Sequence, residues 1–254
     1  MKLFFAGIAL FFALNCFADR ELRLIDATCG APLKVFMQAA VELAVADEIS
    51  IVMHKELPSA ALKALDNGDA DAVIIDRRFA EGRPHLLLAA EALVLYTHVA
   101  NPVNKLSKAQ VQEMLYAPHP TWKKINGLNL DIQRIALKNS TPSGTLMRRV
   151  FGNKVMDDNI FKVDSMSAGF TFVNPAALFF AGFEPMPPRA MKVVYIDGIP
   201  PGSAGIIKGE YPLSLHYAIV YRQKNELLDE LVKVLSKNKY RTVMKNSGLT
   251  VLLP

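Results

Sequence analysis

The sequence is poor in cysteine and tryptophan, with only Cys16, Cys29 and Trp122 among its 254 residues. Cys16 lies in an N-terminal apolar segment, so a single cysteine remains if that segment is removed. A single thiol cannot form an internal disulfide, which means that stability must come from a hydrophobic core. The content of 51% hydrophobic residues is sufficient for such a core. The sequence also contains no internal repeat and no low-complexity segment.

No apolar run reaches the roughly 20 residues that a membrane-spanning helix needs. The run Leu3–Leu14 follows Lys2 and precedes small residues at Cys16 and Ala18, an order typical of a secretory signal peptide. We therefore predict a signal peptide over residues 1–18, cleaved after Ala18, and a soluble, exported mature protein. A lipoprotein anchored through Cys16 is the weaker alternative, because Asn15 is a poor residue before a lipidated cysteine.

Motifs for catalysis and for nucleotide or metal binding are also absent from the sequence. The five histidines show no HExxH or paired-ligand spacing, and no GxxxxGK[ST] loop occurs. Ser143 does not lie in a GxSxG elbow, and no sequence feature supplies the base that a nucleophilic serine would need. We therefore expect neither an enzyme, nor a metal site, nor a cofactor. The formal charge of +5 is scattered rather than striped, so nucleic acid is not an expected partner.

The first third of the sequence alternates between strand-like and helix-like segments. The predicted strands are Glu21–Thr28, Ile49–Glu56 and Asp71–Asp76. One helix is predicted from Pro32, with Ala40 and Val41 on its apolar stripe, and a second is predicted from a cap at Ser59 to an end near Gly68. This strand–helix–strand order predicts an α/β fold with a mainly parallel sheet covered by helices.

Two long predicted strands, Ala92–Ala100 and Leu213–Arg222, flank the middle of the chain. Between them, Ser107 and Gln110 have the spacing of a capping box at the start of a helix. This arrangement favours a two-lobed protein. We predict that lobe 1 consists of residues 19–91 and 223–254, that lobe 2 consists of residues 92–222, and that the hinge strands lie near 92–100 and 213–222.

Ser143, Gly144 and Thr145 form the first candidate binding site, directly before a helix predicted over residues 144–151. A helix N-terminus has backbone N–H groups without internal partners and a partial positive charge. Gly144 permits close approach of an anion, and the hydroxyl groups of Ser143 and Thr145 add donors. The same three residues are also compatible with an ordinary helix cap, and the local pattern leaves both interpretations open.

A second candidate site lies at the predicted strand ends. Asp76 ends a buried strand beside Arg77 and Arg78, so it could form a salt bridge with either arginine. It could instead accept a proton from a bound anion, which protonated phosphate carries and sulfate at neutral pH does not. Thr28 and Cys29 follow the first strand, and ligands of open α/β sheets bind outside the carboxyl ends of strands. A plain loop before a helix is the alternative for these two residues.

Several segments, taken together, resemble the phosphate-binding periplasmic proteins of ABC transporters. In sequence order they are GDADAVIIDRRF, VANPVNKLSKAQVQEMLYAPHPTWKKING, PSGTLMRRVF, FVNPAALFFAGF and IKGEYPLSLHYAIVYR. The resemblance covers most of the chain and implies a two-lobed type 2 periplasmic-binding-protein fold. Each lobe would be a mainly parallel sheet flanked by helices, with a ligand cleft between the lobes that closes on binding. It further implies a periplasmic monomer that passes phosphate or a related oxyanion to an ABC transporter permease.

The resemblance also implies a role for each candidate residue. Ser143, Gly144 and Thr145 would hold the anion from lobe 2. Asp76 would accept the proton of the anion, and Thr28, with Cys29 beside it, would donate hydrogen bonds from the first-lobe loop.

This chain departs from the family pattern at two places. Asn139 replaces the arginine that usually stands four residues before the serine, and the adjacent Lys138 could supply the positive charge. The first-lobe loop reads DATCGAP, where the family has a segment rich in Gly, Ser and Thr. The alternative function is therefore a sensor or a protein-interaction module that reuses the fold with a degraded ligand site.

Overall fold

The structure is a computed structural model that describes residues 20–28, 38–43, 50–139, 144–152, 159–184, 186–246 and 249–253. The strands are β1 (Glu21–Asp26), β2 (Ser50–Lys55), β3 (Ala72–Asp76), β4 (His85–Ala92), β5 (Val94–His98), β6 (Lys105–Leu106), β7 (Gln133–Leu137), β8 (Phe161–Val163), β9 (Ala177–Ala181), β10 (Met191–Val193), β11 (Tyr195–Ile196), β12 (Ser214–Tyr221) and β13 (Thr250–Val251). The predicted signal peptide, Cys29 and Ser143 lie outside the described residues.

The helices complete the list of regular elements. They are α1 (residues 38–43), α2 (Pro58–Asn67), α3 (Lys108–Tyr116), α4 (Leu146–Phe151), α5 (Met166–Phe172), α6 (Ser203–Lys208), α7 (Glu226–Leu235) and α8 (Asn238–Asn246), with short 3-10 helices at Arg77–Phe79 and Trp122–Ile125. Within the described ranges, none of these helices has the length and apolar character needed to cross a membrane.

The described residues group into two compact units. The first contains those of Met1–Leu88, Tyr217–Met244 and Leu253–Pro254, and the second contains Ala89–His216 and Lys245–Leu252, as far as they are described. A six-stranded sheet has the order β13-β4-β12-β3-β1-β2, and a five-stranded sheet has the order β10-β5-β9-β7-β8. The α/β fold class, with two sheets flanked by helices, is confirmed.

Each of the two sheets contains a parallel group that antiparallel strands extend. In the six-stranded sheet β1 is parallel to β2 and β3, and β12 is antiparallel to β3. In the five-stranded sheet β7 is parallel to β8 and β9, and β5 is antiparallel to β9. The carboxyl ends of the parallel strands, where the candidate residues follow, therefore meet at one edge of each sheet.

Two details of the first unit correct the sequence predictions. Helix α2 begins after Leu57 with Pro58 at its first position. Proline is well suited to this position, because a backbone N–H there would have no acceptor within the helix. Ser59 is consequently not the N-cap, whereas Gly68 ends the helix with a φ of 85°, as predicted. In α1, Val41 does not belong to the apolar stripe, because its side chain is 58% exposed while Leu43 is buried.

The prediction of one long strand over Ala92–Ala100 is also wrong. Ala92 belongs to β4, which the sequence analysis did not predict, and β5 begins only at Val94. The break falls at Leu93, whose N–H donates to the carbonyl of Leu213 at 2.9 Å. The continuous apolar run therefore contributes β4 to the six-stranded sheet and β5 to the five-stranded sheet. Sequence periodicity cannot detect such a change of sheet within one apolar run.

The start of α3 and the environment of Trp122 agree with the sequence. Ser107 and Gln110 form both bonds of the predicted capping box. The indole N–H of Trp122 donates to the carbonyl of Ala176 at 2.7 Å, and the ring is fully buried. Trp122 therefore anchors its loop to the second unit.

A buried arginine fixes the end of α3 to strand β7. The Nη1 group of Arg134, which is 3% exposed, donates to the carbonyls of Met114, Leu115 and Ala117 at 3.0, 3.2 and 2.9 Å. These carbonyls belong to the last turn and C-cap of the helix, where intrahelical partners are missing. Burial lowers the pKa of the Arg134 guanidinium. The contact helps to hold β7, the strand that Lys138 follows.

Candidate functional site

The carboxyl ends of β1 and β3 bring two of the predicted residues to the same edge of the sheet. In the parallel register Asp26 lies opposite Ile74, so that continuing by two residues brings Thr28 level with Asp76. Residues that are level on adjacent strands project to the same face of a sheet. Asp26, Thr28 and Asp76, called the β1/β3 edge below, therefore share one face although the chain separates them widely.

Asp76 forms a salt bridge with Arg78 rather than with Arg77. Its Oδ2 accepts from Arg78 Nη2 at 2.7 Å and from Nε at 3.0 Å, while its Oδ1 accepts from the backbone N–H of Arg78 at 2.9 Å. The carboxylate also caps the short 3-10 helix Arg77–Phe79. The bond to Asp76 raises the pKa of the Arg78 guanidinium. Both oxygens of Asp76 are thus occupied by groups of its own chain.

Asp26 is a candidate residue that the sequence analysis missed. Its side chain is 2% exposed, and its Oδ1 accepts from the backbone N–H of Thr28 at 3.1 Å and from the Thr28 hydroxyl at 2.6 Å. Within the described part of the chain, its other oxygen, Oδ2, is buried without a hydrogen-bond donor. An aspartate at the end of a strand resembles an ordinary turn residue, so the only sequence signal was its position as the first residue of the predicted first-lobe loop DATCGAP.

Gly144 and Thr145 lie directly before α4, which has six residues. Gly144 is buried and Thr145 is partly exposed. Thr145 is the N-cap residue, with φ and ψ of −86° and −10°, but its side chain makes no capping hydrogen bond. The interpretation of Thr145 as a conventional side-chain cap is therefore wrong, and its hydroxyl is not used by the helix.

Lys138 and Asn139 follow strand β7. The backbone N–H of Lys138 donates to Val163 at 2.8 Å, which extends the pairing of β7 with β8. The Lys138 ammonium lies 2.7 Å from Asp164, and about half of the lysine side chain is exposed. Asn139 is exposed. Lys138 therefore places a positive charge at the carboxyl end of β7, paired with the exposed carboxylate of Asp164.

Three further cations near β8 and α4 were not predicted from the sequence. Arg149 of α4 pairs with Glu91, whose carboxylate is 3% exposed. Burial lowers the pKa of the Lys162 ammonium on β8, and repulsion by Arg148 lowers it further. Lys138, Arg148, Arg149 and Lys162 are called the basic region below. Single basic residues on short elements carry no sequence signal that would connect them.

The predicted ligand residues do not line a cavity that lies in the second unit. That cavity has a volume of about 660 Å³ and is lined by Lys192, Glu184 and Tyr195 together with five other residues. Burial lowers the pKa of the Lys192 ammonium, which donates to the Asn104 side chain at 2.6 Å. Over the ranges that the structure describes, no group of three or more His, Cys, Asp or Glu residues could hold a metal ion.

Solved structures with a similar fold include two proteins whose descriptions name phosphate, and a third protein that is described as PstS. An ABC-type phosphate transport receptor from Vibrio cholerae is 20% identical with a TM-score of 0.65, covering 91% of this chain and 99% of its own. PstS from Borrelia burgdorferi is 13% identical with a TM-score of 0.72, covering 92% and 99%. A possible phosphate binding protein from Planctomyces limnophilus is 15% identical with a TM-score of 0.71, covering 91% and 93%.

These identities are low, so the structural similarities describe the fold alone. None of the curated proteins compared with the chain matches it. Residues 26–237, by contrast, match the family model of the PBP superfamily domain. This match spans most of the chain and includes Asp26, Asp76, Lys138 and Thr145. The protein therefore belongs to the PBP superfamily.

Proposed function

We propose that this protein is an exported solute-binding protein that captures phosphate or a related oxyanion for an ABC transporter. The observation that carries the proposal is the register of β1 and β3, which brings Thr28 level with Asp76 at the carboxyl end of the sheet. Ligands of open α/β sheets bind outside such ends. A phosphate transport receptor and a possible phosphate binding protein with the same fold support the choice of ligand class.

In the first unit, Thr28 and Asp76 are the proposed ligand residues. A protonated phosphate can donate to a carboxylate, whereas sulfate at neutral pH has no proton to offer. Because Arg78 occupies both oxygens of Asp76, binding requires the ligand to share or replace part of that salt bridge. The hydroxyl and backbone N–H groups of Thr28 already donate to Asp26. Binding therefore also requires the ligand to share or replace these two hydrogen bonds. Cys29 remains a prediction that lies outside the described residues.

In the second unit, Lys138, Asn139, Gly144 and Thr145 are the proposed ligand residues, with Ser143 as a prediction outside the described residues. The Thr145 hydroxyl is not used as a cap, so it can donate to an anion. The positive charges of the basic region favour an anionic ligand. The support comes from these individual groups, because α4 is too short to add a large dipole.

The proposal is tested by calorimetry with phosphate on Asp76→Asn and Thr145→Val. Each substitution removes one hydrogen-bonding group from a proposed ligand residue, and we expect each to weaken binding by about tenfold, equivalent to about 1.4 kcal/mol. Thr242→Val is the matched control, because the hydroxyl of this exposed threonine donates to the Asn238 carbonyl of its own helix α8. Unchanged phosphate affinity in both test variants would refute the proposed site.

The remaining parts of the proposal have their own tests. Mass spectrometry of the exported protein should find an N-terminus at Asp19, as cleavage after Ala18 predicts. Co-purification with a membrane permease would support the transport role.

The ligand cleft and its closure stay predictions from the family resemblance. A sensor or interaction module would give no thermal shift with phosphate, sulfate or molybdate.

A further inference from the structure

The cavity in the second unit is lined by two groups of opposite charge. These are the ammonium of Lys192 and the carboxylate of Glu184, both of which belong to partly buried residues. Over the ranges that the structure describes, the two groups form no salt bridge with each other or with any other residue. A cavity wall that carries both charges unpaired is complementary to a ligand that also carries both.

Lys192 is held in the cavity wall by one loop. Its ammonium donates to the backbone carbonyl of Asn101 and to the side-chain oxygen of Asn104, the latter at 2.6 Å. Asn101 is fully buried, and its side chain bonds to the backbone of Pro175 and Val103 at 3.0 Å each, which fixes the loop. An ammonium has three hydrogens, so one of them remains for a ligand. Lys192 is therefore a positioned cationic donor.

Glu184 is fixed through its backbone, while its carboxylate keeps capacity for a ligand. Its backbone N–H donates to the hydroxyl of Tyr96 at 2.7 Å, and that hydroxyl donates to the carbonyl of Gly182 at 3.0 Å. Tyr96 itself is fully buried in β5. The Oε1 atom of Glu184 accepts from the backbone N–H of Met186 at 3.3 Å, and within the described part of the chain Oε2 has no donor. The carboxylate can therefore accept from an ammonium.

The remaining walls and the position of the cavity complete its description. Phe183 and Tyr195 supply aromatic surface, and Tyr195 is 43% exposed. The volume of about 660 Å³ lies within the roughly 300–1,000 Å³ of small-molecule sites. Lys192 belongs to β10 at one edge of the five-stranded sheet, whereas Lys138 follows β7, which pairs with β8 at the other edge. The cavity is therefore separate from the proposed oxyanion residues of this unit.

We propose that this cavity is a second ligand site, independent of the oxyanion site, for a small zwitterion with an apolar body such as a free apolar α-amino acid. The carboxylate of the ligand accepts from Lys192, its ammonium donates to Glu184, and its side chain packs against Phe183 and Tyr195. Hydrogen bonds between charged groups are about twice as strong as those between neutral groups, so both contacts contribute to affinity. A simple anion would satisfy Lys192 but would be repelled by Glu184.

Calorimetry with L-phenylalanine and two blocked forms of it tests the two charged contacts. L-phenylalaninamide keeps the ammonium and lacks the carboxylate, while N-acetyl-L-phenylalanine keeps the carboxylate and lacks the ammonium. We expect each blocked form to bind at least about tenfold more weakly than L-phenylalanine. Equal binding of all three would overturn the proposal, because it would show an apolar surface without charge recognition. Absence of binding by both L-phenylalanine and L-leucine up to about 10 mM would also overturn it.

Two substitutions assign the contacts to residues. Glu184→Gln keeps an acceptor for the N–H of Met186 but loses the charge, so it should weaken L-phenylalanine binding roughly tenfold and leave N-acetyl-L-phenylalanine unchanged. Lys192→Met should weaken L-phenylalanine to a similar extent and leave L-phenylalaninamide unchanged. Glu210→Gln and Lys208→Met are the matched controls, because they alter an exposed ion pair of the same unit. Affinities equal to those of the controls would overturn the assignment.

Phosphate affinity separates this inference from the proposed function. Glu184→Gln and Lys192→Met should bind phosphate as the unmodified protein does, because neither residue belongs to the proposed oxyanion site. A parallel loss of phosphate and L-phenylalanine binding in these variants would indicate one shared site and would overturn the independence of the cavity. If Lys192→Met does not fold, because its bonds to Asn101 and Asn104 are lost, the result with Glu184→Gln and the blocked ligands decides the question.

Discussion

The candidate residues of the two units differ in the sign of their charge. The β1/β3 edge of the first unit carries two buried carboxylates, Asp26 and Asp76. The basic region of the second unit carries four cations on and beside β7, β8 and α4, with Asp164 and Glu91 as paired carboxylates. The candidate groups of the first unit are therefore mainly acidic and those of the second unit mainly basic.

This difference separates two properties by which a ligand could be recognised, namely its negative charge and a hydrogen that it carries. Cations select negative charge regardless of which anion carries it, because their attraction is electrostatic. In the proposed function, a carboxylate acceptor such as Asp76 selects a hydrogen, which only some anions carry. A protonated oxyanion has both properties. We therefore expect the basic region to determine affinity for anions in general and the β1/β3 edge to determine which anion is preferred.

The largest expected effect concerns the charge balance of the basic region. Glu91→Gln removes the buried carboxylate charge that pairs with Arg149, and we expect the second unit to lose about 3 kcal/mol of unfolding free energy. Trp122, the single tryptophan, lies fully buried in this unit, so its fluorescence during urea unfolding reports the change. Glu230→Gln, in an exposed pair with Arg20, is the control and should lose less than about 1 kcal/mol.

An intermediate effect is expected for Lys138→Met, which removes a cation of the basic region. Phosphate and sulfate should both bind roughly fivefold more weakly, because the charge acts on any anion, and the loss should diminish at high salt. Lys124→Met, an exposed lysine of the same unit, should leave both affinities unchanged. A change in the phosphate-to-sulfate ratio in Lys138→Met would contradict the division of roles between the two regions.

The smallest expected effect concerns Glu42, a carboxylate of the first unit that, unlike Asp26, has several charged or polar donors from side chains of other elements. Bonds from Lys239, Tyr240 and Lys237 lower the pKa of Glu42 from 4.5 to about 2. A carboxylate whose pKa is lower in the folded state than in the unfolded state stabilises the fold at pH values above its unfolded-state pKa. This contribution disappears as the pH falls through the folded-state pKa. Glu42→Gln should therefore be less stable than the unmodified protein at pH 7.

The pH dependence of that difference provides the check. Thermal unfolding of the two proteins should show a constant difference above about pH 5, which narrows as the pH falls from 4.5 toward 2. A difference that stays constant over this range would mean that the contacts with Lys237, Lys239 and Tyr240 do not act through the charge of Glu42.

Local sequence patterns predicted those elements whose signals are contained in a few residues. The capping box at Ser107 and Gln110, the helix end at Gly68 and the strand end at Asp76 each depend on neighbouring residues, and the structure has all three. The errors arose where tertiary context decided. Strand β4 is an apolar, alanine-rich run without alternation, because most of its residues are buried.

The candidate site was predictable only in part for the same reason. Asp76 was recognisable from its place at a strand end, and the pairing with Arg78 was one of the two alternatives that the sequence left open. The buried Oδ2 atom of Asp26, which lacks a hydrogen-bond partner among the described residues, results from the pairing of β1 with β3 and from burial. No local sequence pattern encodes either of these. Lys162 and Arg148 interact across two elements that lie apart in the sequence, so their proximity also required the structure.

The salt bridge between Asp76 and Arg78 has a consequence for the rate at which an anion associates. An unpaired carboxylate at the strand end would repel an approaching anion and slow its encounter with the protein. Arg78, whose side chain is 60% exposed, neutralises that charge. If Asp76 binds the anion as proposed, the arginine would act as a counterion that shields the carboxylate while the anion approaches.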